Sequence, residues 1–171
     1  VGVGAMAALL GLEIEDARAV AQEASATGVC AVANDNSTGQ AVVSGEKAAV
    51  EKAIELAAAR GARKSILLPV SAPFHCPLMQ PAADAMAQAL EGTTIAPPLL
   101  PVVANVTAAP ESAPATLRRL LVEQVTGTVR WRESVLAMKE HGIDTLAEIG
   151  TGKVLSGLVR RIDREMQGVS V

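Results

Sequence analysis

Val70-Ser71-Ala72-Pro73-Phe74-His75-Cys76-Pro77-Leu78-Met79 is the stretch on which the reading of the fold turns. An apolar run, Ile66-Leu67-Leu68, enters it as a strand, and an alanine-rich segment leaves it as a helix. Between them stands one of only two histidines, bracketed by Pro73 and Pro77. Each proline fixes its own φ and biases the preceding residue toward extended geometry, so the imidazole rides on a stiffened turn. A titratable ring at a strand-to-helix junction is where an α/β protein places a general base. A half-buried histidine at a helix start fits the same letters, and the local sequence alone favours that plainer reading.

Working outward, the 171-residue chain is half apolar and can bury a substantial core. Its aromatics are Phe74 and Trp131 only, so the core must be built from Ala, Val, Leu and Ile. The net charge of −3, with no basic run, argues against nucleic acid as a partner. No stretch reaches the roughly 18 apolar residues that a membrane span needs. Cys30 and Cys76 have no metal-site spacing and are too few for a disulfide framework, so no metal is expected and a reducing, cytoplasmic setting is the simplest reading. The chain opens on Val1-Gly2-Val3-Gly4 rather than on methionine, as if within a strand, and so reads as a piece of something longer.

Residues 1–12 read as a strand. Ala17, Val20, Ala21 and Ala24 recur at helical spacing before Gly28, and Val50, Ala53, Ile54 and Ala57 do so before Gly61. Between these helices, residues 29–33 and 41–44 read as strands joined by a turn over residues 34–40, and residues 65–70 as a further strand. This strand-helix-strand-strand-helix-strand order is that of a split βαβ, ferredoxin-like unit over residues 1–66. In residues 67–171, Met79, Ala83, Met86 and Leu90 mark a helix, and residues 102–106 a short buried strand. After a loop over residues 110–114, a helix follows with Leu117, Leu120, Leu121 and Val125 inward, another runs from Trp131 with Val135 and Met138, and then comes a strand over residues 146–149. A last helix carries Val154, Leu155, Leu158 and Ile162 on one face. So few strands make an unfinished sheet, because strands buried on both faces need neighbours.

Several motifs fail on inspection. Gly2-Val3-Gly4-Ala5-Met6-Ala7 lacks the strand and acidic residue of a dinucleotide site, and Gly150-Thr151-Gly152-Lys153-Val154 lacks the first glycine and the hydroxyl of a phosphate loop. Neighbours in an extended segment face opposite ways, so His75 and Cys76 do not form a dyad. His141 reads as a solvated helix end. Asn34, Asn36 and Asn105 could orient a polar substrate, but asparagines in tight turns serve local backbone hydrogen bonds, and for Asn34 that reading wins. Asn105, inside an apolar run, needs partners for its amide.

Six segments nevertheless occur together, in order: Gly4-Ala5-Met6-Ala7-Ala8, Asn36-Ser37-Thr38-Gly39-Gln40, Ser71 through Met79, Pro101-Val102-Val103-Ala104-Asn105-Val106-Thr107, Val129-Arg130-Trp131, and Glu148 through Leu158. The set resembles the malonyl-CoA:acyl carrier protein transacylase family across essentially the whole chain. That resemblance implies an α/β fold in which a ferredoxin-like small subdomain is inserted into an α/β-hydrolase-like large one, residues 67–171 being the C-terminal part of the latter. It implies a serine acyltransferase that moves a malonyl group from coenzyme A to acyl carrier protein through a serine ester, without a cofactor. His75 matches the base and Gln124 the residue whose backbone carbonyl orients it. Asn36 and Asn105 match polar residues near the cleft, and Phe74 matches malonyl-selective members. The family's Gly-His-Ser-Leu-Gly elbow, its carboxylate-binding arginine and its oxyanion-hole glutamine have no counterpart in residues 1–171. Ser44, Ser71 and Ser134 lie in no elbow motif, and Thr151 stands where proline is usual. The chain is therefore expected to be an incomplete and inactive portion. The alternatives are an acyltransferase domain of a polyketide or multidomain fatty acid synthase, or a non-catalytic module that binds a carrier protein.

Overall fold

A computed structural model describes residues 4–171; the Gly2-Val3 part of the dinucleotide-like stretch lies outside them. The first half runs β1 (Gly4–Leu10), α1 (Ile14–Ala24), β2 (Cys30–Ser37), β3 (Gln40–Glu46), α2 (Lys47–Ala59) and β4 (Lys64–Leu67). Its strands form one sheet in the order β2-β3-β1-β4, every neighbouring pair antiparallel. That is the ferredoxin-like arrangement. Successive strand residues point to opposite faces, and the sequence uses both. Ala5, Ala7, Leu9 and Val43 meet the buried Ala17, Val20, Ala49, Val50 and Ala53 of the two helices. On the reverse face Met6, Ala8, Ala33 and Val42 pack with Leu68, from the polypeptide leaving β4.

The expected turn over residues 34–40 is not a turn. β2 continues to Ser37, leaving Thr38-Gly39 to connect it to β3. Its register shifts between Val32 and Asn34, and again between Asp35 and Ser37. Such bulges let a run of turn-forming residues remain in a strand. The missing backbone partners come from far along the chain: Asp35 N–H donates to Val129 O at 2.9 Å, and Val129 N–H to Ala33 O at 2.8 Å. Thr128 Oγ1 adds a bond to Val32 O at 2.7 Å.

The second half contains α3 (Gln80–Glu91), β5 (Val102–Ala104), β6 (Ala109–Glu111), α4 (Pro114–Thr126), α5 (Trp131–Glu140), β7 (Thr145–Glu148), α6 (Val154–Ile162) and β8 (Gln167–Ser170). Three expectations are corrected here. The strand near residue 102 is not buried: among the described residues it pairs only with β6, which overlaps the stretch read as a loop, and Val102 is exposed. β8 was not foreseen and pairs parallel with β7. α6 buries Leu158 and Val159, the latter packed with Val135 and Met166, whereas Val154 and Leu155 are exposed, as is Leu121 of α4, which was expected to face inward. No helix among the described residues is long and apolar enough to cross a membrane.

Candidate functional site

β4 ends at Leu67, and the chain then crosses back over the start of β1, with Leu68 N–H donating to Met6 O at 2.8 Å. The Pro73 ring lies where a side chain on Gly4 would be, so a glycine there permits the crossing. His75 follows with φ 59°. The extended geometry expected for it is therefore wrong: the left-handed region is uncommon for a non-glycine residue, and such outliers gather where the surrounding structure over-determines them. Cys76, directly before Pro77, is the extended residue, at φ −142° and ψ 170°. Its thiol is fully buried and donates to Pro73 O at 3.1 Å, which leaves no Cys76–His75 dyad.

The histidine is half-buried, with Nδ1 2.9 Å from the backbone oxygen of Gln124. Gln124 belongs to the last turn of α4, where the final four carbonyls of a helix have no partner within the helix. One of these takes the imidazole. A carbonyl only accepts, so Nδ1 must carry the proton and Nε2 presents its lone pair. Gln124 is held in turn from its own side chain, with Asn105 Nδ2 donating to Gln124 Oε1 at 3.0 Å. A small cavity of about 130 Å³, lined by Val102, Leu117, Leu120 and Leu121, opens beside these two amides.

Of the candidate residues, His75, Gln124 and Asn105 thus form one hydrogen-bonded chain. Phe74 is 41% exposed next to the histidine. Asn36 is half-buried in β2, outside that chain. His141 caps α5, its Nδ1 2.8 Å from Ala137 O.

Two features had no clear signal in the sequence. One is a buried ion pair that ties the small sheet to α5. Asp35, 2% exposed, accepts from Arg132 Nε at 3.1 and 3.0 Å and from Nη2 at 2.7 Å. This bonding raises the Arg132 guanidinium above its ordinary range, against the opposing effect of burial. The other is a cleft of about 440 Å³ between the β2–β3 turn and the end of α6, lined by Arg63, Arg160, Arg161 and Arg164 with Thr38 and Gln40. Arginines gathered this way suit phosphate groups, which their forked donors match. Among the described residues, no three His, Cys, Asp or Glu side chains converge as metal ligands.

Residues 1–171 match the family described as acyl transferase domain, and the chain belongs to that family. Malonyl CoA-acyl carrier protein transacylase of Haemophilus influenzae is 42% identical over 170 residues, 99% of this chain and 54% of the relative. Acyl-carrier-protein-S-malonyltransferase from Bartonella henselae superposes with a TM-score of 0.96 at 50% identity, over 100% of this chain and 55% of that one. A malonyl-transacylase solved in complex with a type II polyketide acyl-carrier protein superposes with a TM-score of 0.96 at 41% identity, over 99% of this chain and 55% of that one. The chain spans about half the length of the relatives it matches. Its fold is accordingly α/β, a ferredoxin-like small unit with part of an α/β-hydrolase-like large one.

Proposed function

We propose that this chain carries the histidine side of a malonyl-CoA:acyl carrier protein transacylase of fatty acid synthesis. The single observation that carries this reading is the Nδ1-to-carbonyl bond between His75 and Gln124 at 2.9 Å. In the proposed reaction, His75 Nε2 takes the proton of a serine hydroxyl while the serine oxygen bonds to the thioester carbon of malonyl-CoA. The carbon–sulfur bond breaks, and coenzyme A leaves with the proton that the imidazolium returns. The phosphopantetheine thiol of the carrier then gives its proton to Nε2 and attacks the serine ester; the acyl–oxygen bond breaks, and the imidazolium returns the proton to the serine oxygen. A backbone carbonyl suffices as the third group because its task is to fix the ring tautomer.

The serine is proposed to come from polypeptide outside residues 1–171, as is the group that pairs with the malonyl carboxylate. Phe74 and Asn36 are proposed to face the acyl group and its carrier. The cleft of Arg63, Arg160, Arg161 and Arg164 supports a phosphate-bearing partner such as coenzyme A or phosphopantetheine. The proposed division of the chain is residues 1–66 and 67–171. A cytoplasmic setting is proposed, with free Cys30 and Cys76 in its support.

The test is malonyl transfer from malonyl-CoA to holo acyl carrier protein by the full-length protein. His75→Ala should lower kcat on the order of 10⁴-fold or more. Loss of under tenfold would return the histidine to a structural role. Residues 1–171 alone should show no transfer. The relative solved with a polyketide carrier favours a second reading for the acceptor, and comparing kcat/KM on fatty acid and polyketide carriers separates the two.

A further inference from the structure

We infer that Asn105 is a positioning residue for His75, its side-chain amide holding the Gln124 side chain and thereby the carbonyl that orients the imidazole. The inference rests on reading His75 as the base. Gln124 sits where a helix is least constrained. α4 ends two residues later, at Thr126, and Gly127 leaves in extended geometry at φ −90° and ψ 157°. Helix ends fray, so the direction of a last-turn carbonyl depends on what anchors that turn from outside.

The anchor is the tip of the β5–β6 hairpin, which is itself tied down by Arg130. Arg130 N–H donates to Asn105 O at 3.0 Å. The Arg130 guanidinium donates to the carbonyls of Val106 at 3.3 Å and Thr107 at 3.0 Å, and is itself held by Glu133. Gly127 lets this tip close onto the end of α4, because a Cβ there would fall 2.6 Å from Val106 Cγ1. Asn105 thus has a fixed backbone and one directed bond, at 3.0 Å to Gln124 Oε1. The cavity beside it is lined mainly by apolar side chains, which offer a polar substrate little to bind. The residue reaches the chemistry through Gln124, from behind the ring.

In the full-length protein, Asn105→Ala and Gln124→Ala should each lower kcat about five- to tenfold, the worth of one neutral hydrogen bond, with KM for malonyl-CoA held within about twofold. The double variant should be no worse than either single one, because both remove the same bond. Asn105→Asp should recover most of the rate, since the Gln124 amide can turn over and donate to the carboxylate. Imidazole nitrogen NMR on Asn105→Ala should show His75 losing its single Nδ1–H tautomer. A rise in KM with kcat unchanged, effects that multiply in the double variant, or an undisturbed tautomer would each overturn the inference. If Asn105→Ala does not fold, Gln124→Ala removes the same bond from the other side while keeping the carbonyl, and unchanged kcat and tautomer there are equally decisive. His75→Ala tests the base reading separately, and the NMR signature needs no turnover.

Discussion

Replacing Arg132 with alanine strands a carboxylate that is 2% exposed. Asp35 accepts three contacts from that one guanidinium, the shortest 2.7 Å, and no other side chain is bonded to it among the described residues. Breaking a buried pair from one side costs about 3–5 kcal/mol, because the remaining charge stays out of water without a partner. For a chain of this size, each kcal/mol moves the melting temperature by about 2–4 °C, so Arg132→Ala should melt about 6–20 °C below the parent. Arg132→Lys keeps the charge but loses the fork, and should fall between. The apolar pair Asp35→Leu with Arg132→Met removes both charges and should regain most of the loss. Thermal melts followed by circular dichroism at pH 7 measure all four proteins. A fall below about 2 °C for Arg132→Ala, or a double variant less stable than Arg132→Ala, would refute the claim that this pair clamps the small sheet to α5.

Two further outcomes follow from the titratable groups. Glu148 accepts the backbone N–H groups of Ser156 and Leu155 at the start of α6, and these bonds hold its carboxyl below the ordinary value of 4.5. Its stabilising contribution is therefore complete above pH 4.5 and fades as the pH falls through the lower folded value. Urea midpoints at pH 6 and pH 3.5 should differ less in Glu148→Gln than in the parent, and an equal difference would contradict the role. Burial, with a smaller effect from Cys76, pushes the Cys30 thiol up to about 11. At pH 8 the folded chain should leave Cys30 unlabelled by a disulfide reagent, and guanidinium should expose it; rapid labelling of the folded chain would show the thiol to be accessible.

The ferredoxin-like half was legible because small apolar residues recur at helical spacing; Gly61 closes α2 at φ 86°, whereas α1 ends at Ala24, capped by Ser25, short of the expected stop at Gly28. Ala17, Val20, Ala21 and Ala24 are buried where the pattern places them. The same reasoning failed on Asn34-Asp35-Asn36. Their local preference is for a turn, but backbone bonds to Val129 and the Arg132 ion pair hold them in β2. β6 carries Pro110 and β8 carries Gly168, so neither has the alternation that marks a strand, and each exists by pairing with one neighbour. His75 announced itself through its flanking prolines, but its left-handed backbone did not, since both prolines argue for extended neighbours. The bond between Asn105 and Gln124 joins residues 19 apart on different elements, a distance at which no periodicity carries information.

The central claim is that Gln124 holds Nδ1 of His75 and leaves Nε2 free to take a proton. Long-range proton–nitrogen NMR of the folded chain near pH 8.5 reads this directly, with His141→Gln used to assign the two imidazoles. The account predicts a single His75 tautomer with the proton on Nδ1. A proton on Nε2, or rapid averaging between the two nitrogens, would contradict it.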